Sequence, residues 1–110
     1  MAEPTLADVF GTGATQDAAT LTIQKSALTD VGLTTSATNT AESLLTAILL
    51  KAKQTLTTAN HDANINQSIT ITDGFIPSFV LRGEAKYTQD TLTVTLEKAA
   101  GSTVINPNDY

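Results

Sequence analysis

An α+β fold is predicted for this chain: one long helix over about residues 40–58 packed on an antiparallel sheet of about four strands, with a short N-terminal helical arm. Three observations predict it. Apolar residues recur at helical spacing between Ala41 and Leu56, polar and apolar residues alternate in three separate stretches, and 21 of the 110 residues are threonine, a β-branched residue suited to the wet face of a strand. The length fits one hydrophobic core, and 41% hydrophobic against 15% charged residues is too apolar for a disordered chain. The reading divides the chain into an arm and linker at 1–19, one domain at 20–98 and a polar tail at 99–110.

Residues 4–10 read as a short helix, with Pro4 near its first turn, Leu6, Val9 and Phe10 on one face, and Gly11 as its stop. So short a helix cannot stand alone, so its apolar edge must dock on the body or on another subunit. Residues 11–17 form a flexible link. Residues 20–24 alternate as a half-buried strand, with Leu21 and Ile23 inward. Leu28, Val31 and Leu33, around Asp30 and Gly32, suggest a turn of helix and a loop. Asn39 and Glu42 resemble a capping box at the start of the main helix.

On that helix Leu44, Ile48, Ala41, Ala52, Leu45, Leu56 and Leu49 fall within an arc of roughly 140° at about 100° per residue. Leu50 falls on the polar side, as an exposed leucine or a subunit contact. Ile65, Gln67, Ile69 and Ile71 share a parity and mark a strand that Asp73-Gly74 ends. Residues 75–81 are apolar on both parities, and Pro77 confines them to an edge or bulge, so this segment wants cover from a loop, a helix or another chain. After a turn at Arg82-Gly83-Glu84, residues 86–98 form the longest strand. It carries Leu92, Val94 and Leu96 inward and Thr91, Thr93 and Thr95 outward, and a bulge near Gln89-Asp90 accommodates the opposite parity of Tyr87. The predicted core sets Leu45, Ile48, Leu49 and Leu56 against Leu21, Ile23, Ile69, Ile71, Leu92, Val94 and Leu96.

Six cationic residues against eleven acidic ones give a net charge of −5, and the six are scattered, which argues against nucleic acid and anionic membrane as partners. The absence of cysteine removes disulfides, Cys-ligated zinc and a thiol nucleophile. Met1-Ala2-Glu3-Pro4 lacks the basic and apolar regions of a secretion signal, so a cytoplasmic site of synthesis is expected, with later incorporation into a particle compatible.

Residues 62–73 resemble the twelve-residue calcium loop of the EF-hand family. Asp62, Asn64 and Asn66 stand at its first, third and fifth oxygen-donor positions, Ser68 offers a carbonyl at the seventh and Ile69 matches the apolar eighth. Gln67 replaces the glycine of the sharp turn, and Asp73 replaces the bidentate glutamate. An Asx-rich helix-to-strand loop is therefore expected, with no metal or other cofactor. His61, the single histidine, has no cysteine or second histidine to work with. Gly11-Thr12-Gly13 lacks the third glycine of a dinucleotide loop and the Gly-Lys-Ser/Thr of a phosphate loop. No pair of acids is marked by spacing as a general acid and base, so an enzyme is not expected. The threonine rows superficially resemble those of ice-binding solenoids, but their irregular spacing reads as solvated strand faces.

These features point to a non-enzymatic structural or assembly subunit, a homo-oligomer or a component bound to an assembly partner. Leu6, Val9, Phe10, Leu50, Phe75, Ile76, Phe79 and Val80 are its candidate interface residues. Small acidic threonine-rich chains of this kind resemble, in style of composition and with no motif, accessory proteins of phage particles or phage-derived tail assemblies. The competing class is a small binding module for a peptide added at a sheet edge or for a weakly held cation.

Overall fold

Each α-helix begins at a threonine in the computed structural model, which describes residues 3–110. The Thr5 hydroxyl accepts from the Asp8 amide ahead of α1 (Leu6–Phe10), Thr40 from Ser43 ahead of α2 (Ala41–Thr55), and Thr57 from Asn60 ahead of α3 (Thr58–Ala63). Each bond satisfies one amide that the first helical turn leaves without a partner. Part of the threonine content therefore serves helix starts and not strand faces. Asn39, expected as the cap of the main helix, instead closes the preceding loop. Its side chain accepts from the Ser36 amide and donates to the Thr34 carbonyl.

The main helix is shorter than expected because it stops at Leu56 and the chain restarts as α3. Leu56 leaves helical geometry at ψ 56°. Its freed carbonyl accepts the Ile71 amide at 2.8 Å, and Asn60 Nδ2 covers the Thr55 carbonyl at 2.8 Å. A long-range bond and a side-chain cap thus replace the bonds that another helical turn would make.

The architecture is α+β with antiparallel pairing, but among the described residues three two-stranded ribbons stand in place of the expected four-stranded sheet. Strands β1 (Thr15–Gln16) and β2 (Leu21–Thr22) form a small hairpin whose turn is held by the Asp17 carboxylate, accepting from the Ala19 and Thr20 amides at 2.8 Å each. Strands β3 (Ile69–Asp73) and β6 (Leu92–Leu96) pair as Ile69–Leu96, Ile71–Val94 and Asp73–Leu92 on one face, with Thr70–Thr95 and Thr72–Thr93 on the other. Between them in sequence, β4 (Ser78–Arg82) and β5 (Ala85–Gln89) pair only with each other. The long strand expected over 86–98 is broken at Asp90-Thr91, one residue beyond the bulge expected near Gln89-Asp90, and its halves belong to different ribbons.

Two small clusters make the core. Leu28, Leu33 and Ala47 form the first, with Ile23, Val31, Leu44 and Ile48 packed on it, and Ala52, Leu56 and Ile71 form the second, with Val9 and Ile69. Leu28 lies in a 3-10 helix at Lys25–Val31 and is only 1% exposed, so the stretch expected as a turn of helix and a loop is helical and supplies the most buried large side chain. Leu45, expected in the core, is 56% exposed, while Ala47 is buried. The buried stripe of α2 is thus shifted towards Ala47, which lies roughly 60° outside the predicted arc at about 100° per residue, while Ala52 and Leu56 stay within it. The shift places Ala47 against Leu28 and Leu33 and turns Lys51 towards Asp30, whose carboxylate it meets at 3.1 Å. Leu21, Val94 and Leu96 are also exposed against expectation. Strand β2 has its main packing with β1, and α2 packs mainly on β3 and at most marginally on β6, so β6 has the inward parity expected while little of the helix covers it.

Candidate functional site

The β3–β6 and β4–β5 ribbons are nested, which makes residues 69–96 one long β-arm interrupted at its middle. At the interruption Asp73 pairs with Leu92 and Ser78 with Gln89, so the four residues 74–77 face the two residues 90–91. The surplus residues loop out and carry Phe75 and Ile76 into solvent, 88% and 89% exposed. Pro77, without an amide hydrogen, sits outside both ladders, as a proline near a strand must. At the tip Arg82 pairs with Ala85 around a two-residue turn, and Gly83 takes the positive φ of 64° that its first position requires.

Beyond Gly74 the arm has no substantial packing against any other element. Phe79 and Leu81 share one face with Lys86 and Thr88, and Val80 and Tyr87 share the other with Arg82. Phe79 and Leu81 are 67% and 74% exposed. Lys86 Nζ lies 4.3 Å from the centre of the Phe79 ring, and the Arg82 guanidinium lies 5.6 Å from that of Tyr87. Each face is therefore an aromatic ring beneath a cation. Neither cation forms an ion pair among the described residues, whereas Lys51, Lys53 and Lys98 pair with Asp30, Asp73 and Asp109. Leu81, Arg82, Lys86 and Tyr87 were not among the expected interface residues. The clue in the sequence was the close Arg82-Gly83 turn, which sets 86–87 opposite 80–81.

The other expected interface residues divide. Leu6, Val9 and Phe10 are held within their own chain, since α1 packs along α2, Val9 joins the second core cluster and the Thr55 hydroxyl donates to the Asp8 carbonyl at 2.6 Å. Leu50 is half-buried and borders an open groove of about 530 Å3 whose other wall is Phe75, Ile76 and Pro77. Phe75, Ile76 and Phe79 are exposed, and Val80 is half-buried.

The candidate calcium residues are not gathered round one point. Asp62 lies in the last turn of α3 beside His61, Asn64 is the C-cap of α3 and accepts from the Asn66 amide, and Asp73 lies at the far end of extended β3, paired with Lys53. At the position of the missing glycine Gln67 is 3% exposed, and its amide donates to the carbonyls of Thr57 at 3.1 Å and Ile69 at 2.9 Å. It ties the α2–α3 junction to β3, a structural role that the EF-hand likeness hid. No cluster of three or more His, Asp or Glu suited to a metal occurs among the described residues.

A polar cleft lies where the C-terminal tail returns to the body. His61 Nε2 lies 3.0 Å from Glu97 Oε2, and Lys98 Nζ donates to the Val104 carbonyl at 2.6 Å and to Asp109 at 3.2 Å. These contacts anchor the tail. No helix of the described residues is long and apolar enough to cross a membrane. No protein-family model, no curated protein and no solved structure matches the chain.

Proposed function

We propose that the chain is a non-enzymatic structural subunit that self-associates, of the kind built into a multi-copy particle such as a phage or phage-derived tail assembly. The observation that carries this reading is surface. The accessible area is 7985 Å2, whereas a folded monomer of 11.5 kDa exposes about 5,800 Å2. The radius of gyration is 16.1 Å, against about 13 Å for a compact chain of this length. Burial on folding opposes conformational entropy, and a chain that leaves Phe75, Ile76, Phe79 and Leu81 largely in water gains by burying them against other molecules.

Light scattering with sedimentation velocity over a wide concentration range tests the reading. A discrete species heavier than one chain is the expected result. A single chain at every concentration would overturn it. It would also favour the competing reading, a binding module in which a peptide adds a strand to the unpaired outer edge of β4 or β5.

A further inference from the structure

We infer that the β4–β5 hairpin is the contact arm of this assembly and that its occupant is a second copy of the same chain. The inference rests on the self-association reading and adds the surface that performs it.

Three observations converge on the hairpin. First, a two-stranded ribbon with no sheet or helix beneath it is marginal in water, yet β4–β5 has no substantial packing against any other element among the described residues. Its order calls for a partner. Second, the apolar side chains are on both faces: Phe79 and Leu81 on one, Val80 and Tyr87 on the other. One docked face would leave the second in water, so the arm suits insertion between surfaces and not a flat contact. Third, the chain exposes about 2,000 Å2 more surface than a compact monomer of its mass, and the projecting hairpin, with Phe79 67% and Leu81 74% exposed, contributes to that excess.

Charge selects the second copy as occupant. Arg82 and Lys86 have no carboxylate partner among the described residues, and Glu84 is the hairpin's one acid, so the arm is locally cationic in a chain of net charge −5. The body of another copy supplies the opposite sign. Asp90 lines the groove between Leu50 and Phe75–Pro77 and has no ion pair among the described residues. That groove offers an aliphatic and aromatic wall with a carboxylate at its edge, complementary to an arm of apolar side chains flanked by cations. Arm into groove joins two different surfaces, which propagates as a ring or a filament.

The test compares wild type with Phe79→Asp and Leu81→Asp by light scattering and circular dichroism, with Thr93→Asp, on the solvated face of β6, as control. The expected result is an oligomeric wild type and control, and hairpin variants of single-chain mass with unchanged circular dichroism. Hairpin variants that keep the wild-type mass overturn the inference and leave the self-association reading standing, while a monomeric wild type overturns both. Should the aspartate variants fail to fold, the cysteine-free chain allows Leu81→Cys to carry an environment-sensitive dye. Its emission should shift to the red as dilution lowers the mass, and a dye at Thr93→Cys should not shift. Falling mass with unchanged emission at position 81 overturns the inference.

Discussion

The Gly74 amide donates to the Thr91 carbonyl at 2.8 Å, and a Cβ at position 74 would lie 2.6 Å from Thr91 Cγ2 and 2.7 Å from that carbonyl oxygen. This contact joins the packed ribbon to the projecting one. Backbone approaches backbone here as closely as it does only because residue 74 has no side chain, and the surplus residues that display Phe75 and Ile76 start at this point.

Gly74→Ala should therefore lower stability by about 1–3 kcal/mol, the usual cost of forcing an extra methyl group into a closed contact. Gly101→Ala, where the nearest atom to a new Cβ is 3.9 Å away, should stay within about 0.5 kcal/mol. Urea denaturation of the two variants checks the difference, and equal midpoints would refute the close approach.

The buried stripe of α2 faces Leu28 and turns away from Leu45, two leucines that hydrophobicity alone does not distinguish. Leu28→Ala should cost about 2–5 kcal/mol, because it opens a cavity beside Leu33 and Ala47. Leu45→Ala should cost less than about 1 kcal/mol, since the side chain is already largely in water. A greater loss at Leu45 would restore the helix phase predicted from the sequence.

Gln67→Ala removes two donated hydrogen bonds and leaves the Thr57 and Ile69 carbonyls without that donor. A loss of about 1–3 kcal/mol is expected. Amide exchange should quicken at Ile71, whose bond to the Leu56 carbonyl depends on the same junction. Unchanged exchange in a destabilised variant would show that Gln67 acts elsewhere.

Lys51 beside Asp30 holds that carboxyl below the ordinary aspartate range, and the amides of Ala19 and Thr20 do the same for Asp17. A lowered folded-state value means that each contribution to stability is fully present above the ordinary carboxylate pKa and is lost as pH falls through the folded one. In a carbon-detected NMR titration, Lys51→Met should move the Asp30 midpoint upward and leave that of Asp17 in place. Movement of both, or of neither, would contradict the assignment of causes.

Much of this molecule was determined by local sequence. Gly11 ends α1, the 41–55 spacing makes a helix, the alternation at 69–71 and 92–96 makes strands of the right parity, and Arg82-Gly83-Glu84 turns the hairpin, because each depends on backbone preference and periodicity within a few residues. The two-sided apolar character of 75–81 was legible too, and with it the candidate surface.

Tertiary structure alone decided the rest. Whether a helix continues past Leu56 turned on a carbonyl that finds Ile71, 15 positions away. Which leucines of α2 are buried turned on Leu28 and Leu33, which arrive from another element and draw the buried stripe towards Ala47. Whether residues 85–96 make one strand or two turned on a two-residue difference in length across the arm, and that difference sends Phe79 and Leu81 away from the core. Periodicity tells which side chains share a face, but what covers that face depends on where distant segments come to rest.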